Sequence, residues 1–158
     1  MNSTNKEIER KFLVKKLPGN LHRYPSTAIL QGYLAIMEDG TEVRLRKKAS
    51  RYFQTVKSGC GLQRSEVEVE LSEVQFKKLW QMTEGQRIEK IRYEIPWSGA
   101  TIELDVFSGN LAGLIVAEVE FASIEQARAF IAPAWFSVEL TEDERFKNKN
   151  LAIHGLPE

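Results

Sequence analysis

Apolar and polar residues alternate through most of the chain, and this period of two predicts strands rather than helices. In the first such run Ile8 and Phe12 share one face, while Glu7, Glu9 and Lys11 share the other. A second run begins near Ala28, with Leu30, Leu34 and Ile36 on an apolar face and Gln31 and Tyr33 opposite. Glu38-Asp39-Gly40 reads as a hairpin turn. Beyond it Val43 and Leu45 alternate with Arg44 and Arg46, and the run from Tyr52 to Lys57 ends at Gly59-Cys60-Gly61. The next strand sets Glu66, Glu68 and Glu70 against Val67, Val69 and Leu71. Arg87 to Trp97 sets Lys90, Arg92 and Glu94 against Ile91, Tyr93 and Ile95, with Pro96 predicting an edge or a bulge. Two more strands oppose Glu103 and Asp105 to Ile102, Leu104 and Val106, and Glu118 and Glu120 to Val119 and Phe121.

Two stretches break the alternation with helical signals. Ser72 as N-cap, Gln75 at the capping-box position, a stripe of Phe76, Leu79 and Trp80, and Gly85 as a stop predict one helix. Ser123 with Gln126 predicts a shorter one, with Ala127, Phe130 and Ile131 as its buried stripe and Pro133 beyond its end. Ser137 to Glu158 reads as a short extended piece followed by a polar tail. About eight strands joined by short connections predict an antiparallel α+β domain spanning residues 1–158.

Composition narrows the function classes. Lys plus Arg and Asp plus Glu each total 22, so no net field draws the chain to nucleic acid or to an anionic membrane surface. No apolar run reaches membrane-spanning length, and Met1 to Lys6 lacks the apolar core of a signal peptide. The single cysteine, Cys60, excludes an internal disulfide and fits a reducing, cytoplasmic setting. It sits in a Gly-rich turn without a partner and carries no catalytic expectation.

The charges are sorted by strand. Glu66, Glu68, Glu70, Glu103, Asp105, Glu118 and Glu120 stand against Arg44, Arg46, Lys57, Lys90 and Arg92. Two architectures accommodate this: an ordinary apolar core with the charges in solvent, or a closed barrel with a charged lumen and apolar faces turned out against the helices. The second costs several kcal/mol per uncompensated ion, so it demands a charged ligand. Carboxylates in such numbers suit Mg2+ or Mn2+, and Arg and Lys suit phosphate oxygens.

Glu7-x-Glu9-x-Lys11, Arg44-x-Arg46, Lys57, Glu66-x-Glu68, Lys90-x-Arg92 and Glu118-x-Glu120, in this order, resemble the motif series of the CYTH family, the triphosphate tunnel metalloenzymes. The opening Glu-Ile-Glu-Arg-Lys-Phe-Leu-Val is similar to that of its small bacterial single-domain members. The resemblance implies an eight-stranded antiparallel tunnel with helices packed outside, and hydrolysis of a triphosphate, foremost tripolyphosphate to pyrophosphate and phosphate, with Mg2+ or Mn2+. It implies Lys11, Arg44, Arg46, Lys57, Lys90 and Arg92 as phosphate ligands, and Glu7, Glu9, Glu118 and Glu120 as the leading metal residues. Asp105 joins the metal set. Glu66 and Glu68 fit a second metal or the positioning of water, and Tyr33 matches a tyrosine suited to proton transfer. Glu70 and Glu103 fit the tunnel mouth or solvent. Arg145, Lys147 and Lys149 read as a solvated tail, with a reach over the tunnel mouth as the alternative, His22 and His154 as surface residues, and Trp80 and Phe130 as core. Thiamine or nucleoside triphosphate hydrolysis, class IV adenylate cyclase chemistry and non-catalytic polyphosphate binding are the alternatives. The resemblance is also compatible with a homodimer.

Overall fold

The computed structural model describes residues 8–58 and 65–158. Glu7 and Cys60 lie outside them. In chain order the elements are β1 (Ile8–Val14), β2 (Ser26–Ile36), β3 (Glu42–Lys48), β4 (Arg51–Ser58), β5 (Ser65–Leu71), α1 (Glu73–Trp80), β6 (Arg87–Trp97), β7 (Ala100–Phe107), β8 (Ile115–Phe121), α2 (Ile124–Ala129), β9 (Phe136–Glu139) and α3 (Asn148–His154). Short three-ten turns join several of these.

Among the described residues the strands form one antiparallel sheet in the order β5-β4-β3-β2-β6-β7-β8-β1-β9. That is nine strands where the alternation predicts about eight, because β9 adds a four-residue edge beside β1. No hydrogen-bonded seam joins β5 to β9 in this order. The sheet wraps nonetheless, since Glu66 and Glu68 of β5 line the same cavity as Glu9 of β1.

The outer face is apolar and is covered in two places. α1 is capped as expected: Ser72 Oγ accepts from the Gln75 amide at 3.1 Å, and Gln75 Oε1 accepts from the Ser72 amide at 2.9 Å. It lays Phe76 against Tyr52, with ring centroids 4.9 Å apart. Trp80, expected in the core, is half-buried. Here β2 must run close beneath, because a Cβ on Gly32 would stand 2.7 Å from Thr83 Oγ1 and 2.8 Å from the Trp80 ring. α2 packs on β1 and β8, and Phe130 just past its end meets Phe12, Phe121 and Phe136. Ile131, expected in the same stripe, is 82% exposed, because the helix ends at Ala129 and the backbone has already turned extended at Phe130. Pro96 lies beyond Tyr93, the last β6 residue paired with β2, so its missing N–H removes no bond from that ladder.

Two departures from the alternation shape the inner face. The pairing of β2 with β3 shifts between Tyr33 and Ala35, so Leu34 is an extra residue and the facing reverses. Ile36, expected beside Leu30 and Leu34, therefore packs with the cluster that contains Tyr33. The second departure is α3, where a polar tail is expected. This helix is not outside the sheet. Leu151 and Ala152 pack with Tyr33, Ile88, Phe107 and Val116, which face the concave side, so α3 closes one end of it. Seven residues from Asn148 to His154, stopped by Gly155 with its φ of +76°, are too few for a helical period to stand out in the sequence.

Candidate active site

Inward-facing positions of eight strands, β1 to β8, joined by the start of α3, enclose a cavity of about 300 Å³. Register decides which charges meet there. On one flank β5 opposes β4, with Glu66 opposite Lys57 and Glu68 opposite Thr55. Lys57 Nζ lies 4.0 Å from Glu66 Oε2, and Thr55 Oγ1 donates to Glu68 Oε2 at 3.1 Å. In the middle, β3 supplies Arg44 and Arg46, which stand opposite Tyr33 and Gln31 of β2. On the other flank Glu103 faces Glu118 between β7 and β8, and Glu120 faces Glu9 between β8 and β1. Lys11 Nζ pairs with Glu118 at 3.2 Å and donates to the Phe146 carbonyl at 3.1 Å.

Behind this wall lies a dry ion cluster. Arg92 Nε and Nη2 donate to the two oxygens of Asp105 at 2.8 and 2.9 Å, and Lys90 Nζ lies 2.7 Å from Asp105 Oδ2. The Lys90 side chain is fully buried and that of Asp105 nearly so. Burial pushes Asp105 upward, but Lys90 and Arg92 outweigh it and hold the carboxyl at about 2. For Lys90 burial prevails over Asp105 and lowers its pKa. Arg92 also reaches Glu103, so it links the buried cluster to the cavity.

The cationic floor is under strain of its own charge. Burial, then the neighbouring charges of Arg44 and Arg92, lower Arg46 to about 10. Arg46 gives Nε and Nη2 to Gln31 Oε1 at 2.9 and 2.7 Å, and Gln31 Nε2 donates to the Tyr33 hydroxyl at 2.8 Å. Burial raises Tyr33 to about 12. Arg44 Nε is buried without a hydrogen-bond partner among the described residues. Guanidinium groups crowded together in this way favour an anion with several oxygens.

A protein-family model described as the CYTH domain matches residues 5–152. The chain belongs to the CYTH family. It is 51% identical over 150 residues to the inorganic triphosphatase of Nitrosomonas europaea, covering 93% of this chain and 97% of that protein. It is 34% identical over 150 residues to the inorganic triphosphatase of Acetivibrio thermocellus, covering 92% of each. A crystal structure of an inorganic triphosphatase superposes with a TM-score of 0.77 at 45% identity, over 94% of this chain and 95% of that one.

Within this CYTH sheet, Glu9, Lys11, Tyr33, Arg44, Arg46, Lys57, Glu66, Glu68, Arg92, Glu118 and Glu120 line the one cavity. Lys90 and Asp105 do not. Both oxygens of Asp105, expected among metal ligands, are committed to Arg92 and Lys90, and Lys90, expected on phosphate, is sealed against Asp105. Glu70 pairs with Arg51 away from the cavity, and Arg145 pairs with Asp143. Glu7 is outside the described residues.

Several lining residues have no role, or only an alternative one, in the sequence reading. Glu42 shares the parity of Arg44 and Arg46, so extending that alternation by one step finds it. Glu103, read from the sequence as fitting the tunnel mouth or solvent, lines the cavity from β7. Lys147 and Lys149, for which a reach over the tunnel mouth is the lesser alternative in the sequence, line the cavity together with Asn148 because α3 folds back over it. Gln31 is outside the lining but hydrogen-bonds both Arg46 and Tyr33, a contact that the register sets.

The donor set also bears on a metal. Like charges directly opposite each other, as in Glu9 and Glu120, are destabilising unless a cation joins them. All the donors are oxygens, which suits a hard cation. Among the described residues no three His, Cys, Asp or Glu groups form a metal cage. Mg2+ commonly binds through one or two carboxylates together with substrate phosphates, so this wall fits an ion shared with a polyphosphate.

Proposed function

We infer that the protein hydrolyses inorganic triphosphate to pyrophosphate and phosphate with the help of a divalent cation, Mg2+ or Mn2+. The observation that carries this reading is the convergence of Lys11, Arg44, Arg46, Lys57 and Arg92 on one cavity flanked by carboxylates, in a chain half identical to an inorganic triphosphatase. The cations would take the phosphoryl oxygens of a short linear polyphosphate. Glu9, Glu118 and Glu120 would hold the cation on the opposing flank.

Phosphoryl transfer asks for charge neutralisation and in-line placement rather than a protein nucleophile. A water adds to a terminal phosphorus, the bond to the bridging oxygen breaks, and pyrophosphate leaves with the electron pair. The bound cation supplies neutralisation of charge on the phosphoryl oxygens. Arg44 and Arg46 hold those oxygens in a site too dry to reorganise around them. Glu66, facing Lys57, and Glu68, held by Thr55, accept hydrogen bonds from the attacking water and take up its proton.

Anion-exchange separation of products tests this directly. Inorganic triphosphate incubated with enzyme and Mg2+ or Mn2+ yields equal amounts of pyrophosphate and phosphate, and chelator stops the reaction. Unchanged triphosphate under every metal refutes the reading.

A further inference from the structure

We propose that Gln31 is a positioning residue that turns the Tyr33 hydroxyl proton toward the cavity, where it donates to a substrate phosphoryl oxygen. The proposal rests on the triphosphatase reading and adds a residue to it. Gln31 and Tyr33 lie two apart on β2, face the same way and are sealed from solvent. Opposite Gln31 in register stands Arg46, with both Nε and Nη2 directed at Oε1.

A guanidinium has donors and no acceptor, so only the amide oxygen can face it. That choice fixes the rest of the amide. Its NH2 group is left facing Tyr33 Oη at 2.8 Å, and it can only donate. Tyr33 Oη is therefore an acceptor toward Gln31, and its own proton must point elsewhere. This is its only hydrogen bond within the described residues, and Tyr33 lines the cavity. With its pKa raised by burial the phenol keeps that proton at neutral pH. The chain from Arg46 through Gln31 to Tyr33 thus ends in a neutral donor beside the cationic floor. Donors of this kind gain strength as negative charge grows on a phosphoryl oxygen.

A carboxylate at position 31 reverses the chain. It is nearly the same shape, holds Arg46 at least as firmly, and accepts from both Arg46 and Tyr33, so the phenolic proton turns away from the cavity. The test compares wild type, Gln31→Glu, Tyr33→Phe and the double variant for kcat on inorganic triphosphate. It also measures affinity for inorganic triphosphate by calorimetry in chelator, where binding is read without turnover. Gln31→Glu is expected to lower kcat at least tenfold when Tyr33 is present and less than twofold in the Tyr33→Phe background. The same asymmetry is expected in affinity. Gln31→Met, which removes the amide without reversing it, gives a smaller loss that again depends on Tyr33.

If Gln31 merely braces Arg46, Gln31→Glu keeps wild-type kcat, and the proposal fails. Equal losses in both backgrounds also overturn it, because the effect then runs through charge at Arg46. Absence of turnover in wild type sinks the triphosphatase reading alone. The affinities then decide the proton's direction, with equal weakening in both backgrounds counting against it.

Discussion

At one end of the concave face the inward residues of β6, β7 and β8 are Ile88, Phe107 and Val116, and four positions further along the same strands they are Arg92, Glu103 and Glu120. Between them lie Lys90, Asp105 and Glu118. The apolar end is closed by Leu151 and Ala152 of α3, and burial of hydrocarbon stabilises it without any partner. The middle is just as dry but charged, and it persists because Lys90 and Arg92 both hold Asp105. At the far end the pairing is uneven: Arg92 is bridged to Glu103, while Arg44 across the cavity stands 3.9 Å from Glu66. One strand face therefore passes from closure, through a buried ionic wall, to charges that line the cavity.

The contrast breaks most severely in the middle. Asp105→Ala leaves Lys90 and Arg92 buried without their shared counter-ion, and removing one partner of a buried pair costs about 3–5 kcal/mol. Urea unfolding of the variant reads this loss directly. Arg44→Ala is the opposite case: removing a group aimed at developing charge is expected to lower kcat by about 10²–10³, with the folded state retained by circular dichroism. Leu151→Ala attacks the apolar end and should destabilise by about 2–5 kcal/mol in the same urea assay.

A pH series sharpens the comparison further. Asp105 is held at about 2, below its ordinary 3.8, so its contribution is complete above the ordinary value and is lost as pH falls from near 4 through 2. The urea midpoint of wild type should drop across that window more than that of Asp105→Asn. The smallest effect belongs to Glu70→Ala. Glu70 shares β5 with Glu66 and Glu68 but pairs with Arg51 in solvent, so neither turnover nor melting temperature should change measurably.

Much of this was legible in the residues. Strict alternation exposes the faces of β3 to β8, and it sorts Arg44, Arg46, Glu66, Glu68, Glu118 and Glu120 onto one surface without any structure. Alternation carries no information about depth, however. Lys90 and Arg92 look equivalent in the sequence, yet one is sealed behind Asp105 and the other reaches the cavity. It also fails at the bulge after Tyr33, where one extra residue reverses the face of Ile36. Lys147 and Lys149 were only weakly legible for a third reason. Their place depends on a seven-residue helix returning to cover strands far away in sequence, and such long-range packing leaves little local trace.

The claim that this concave face is a triphosphatase site is tested most directly by rates of phosphate release from inorganic triphosphate and ATP, side by side, with Mg2+, Mn2+ or chelator. The account predicts fast, cation-dependent release from inorganic triphosphate, little from ATP, and near abolition of the former by Arg46→Ala. Release that survives Arg46→Ala unchanged, or a wild-type protein that leaves inorganic triphosphate intact under both metals, contradicts it.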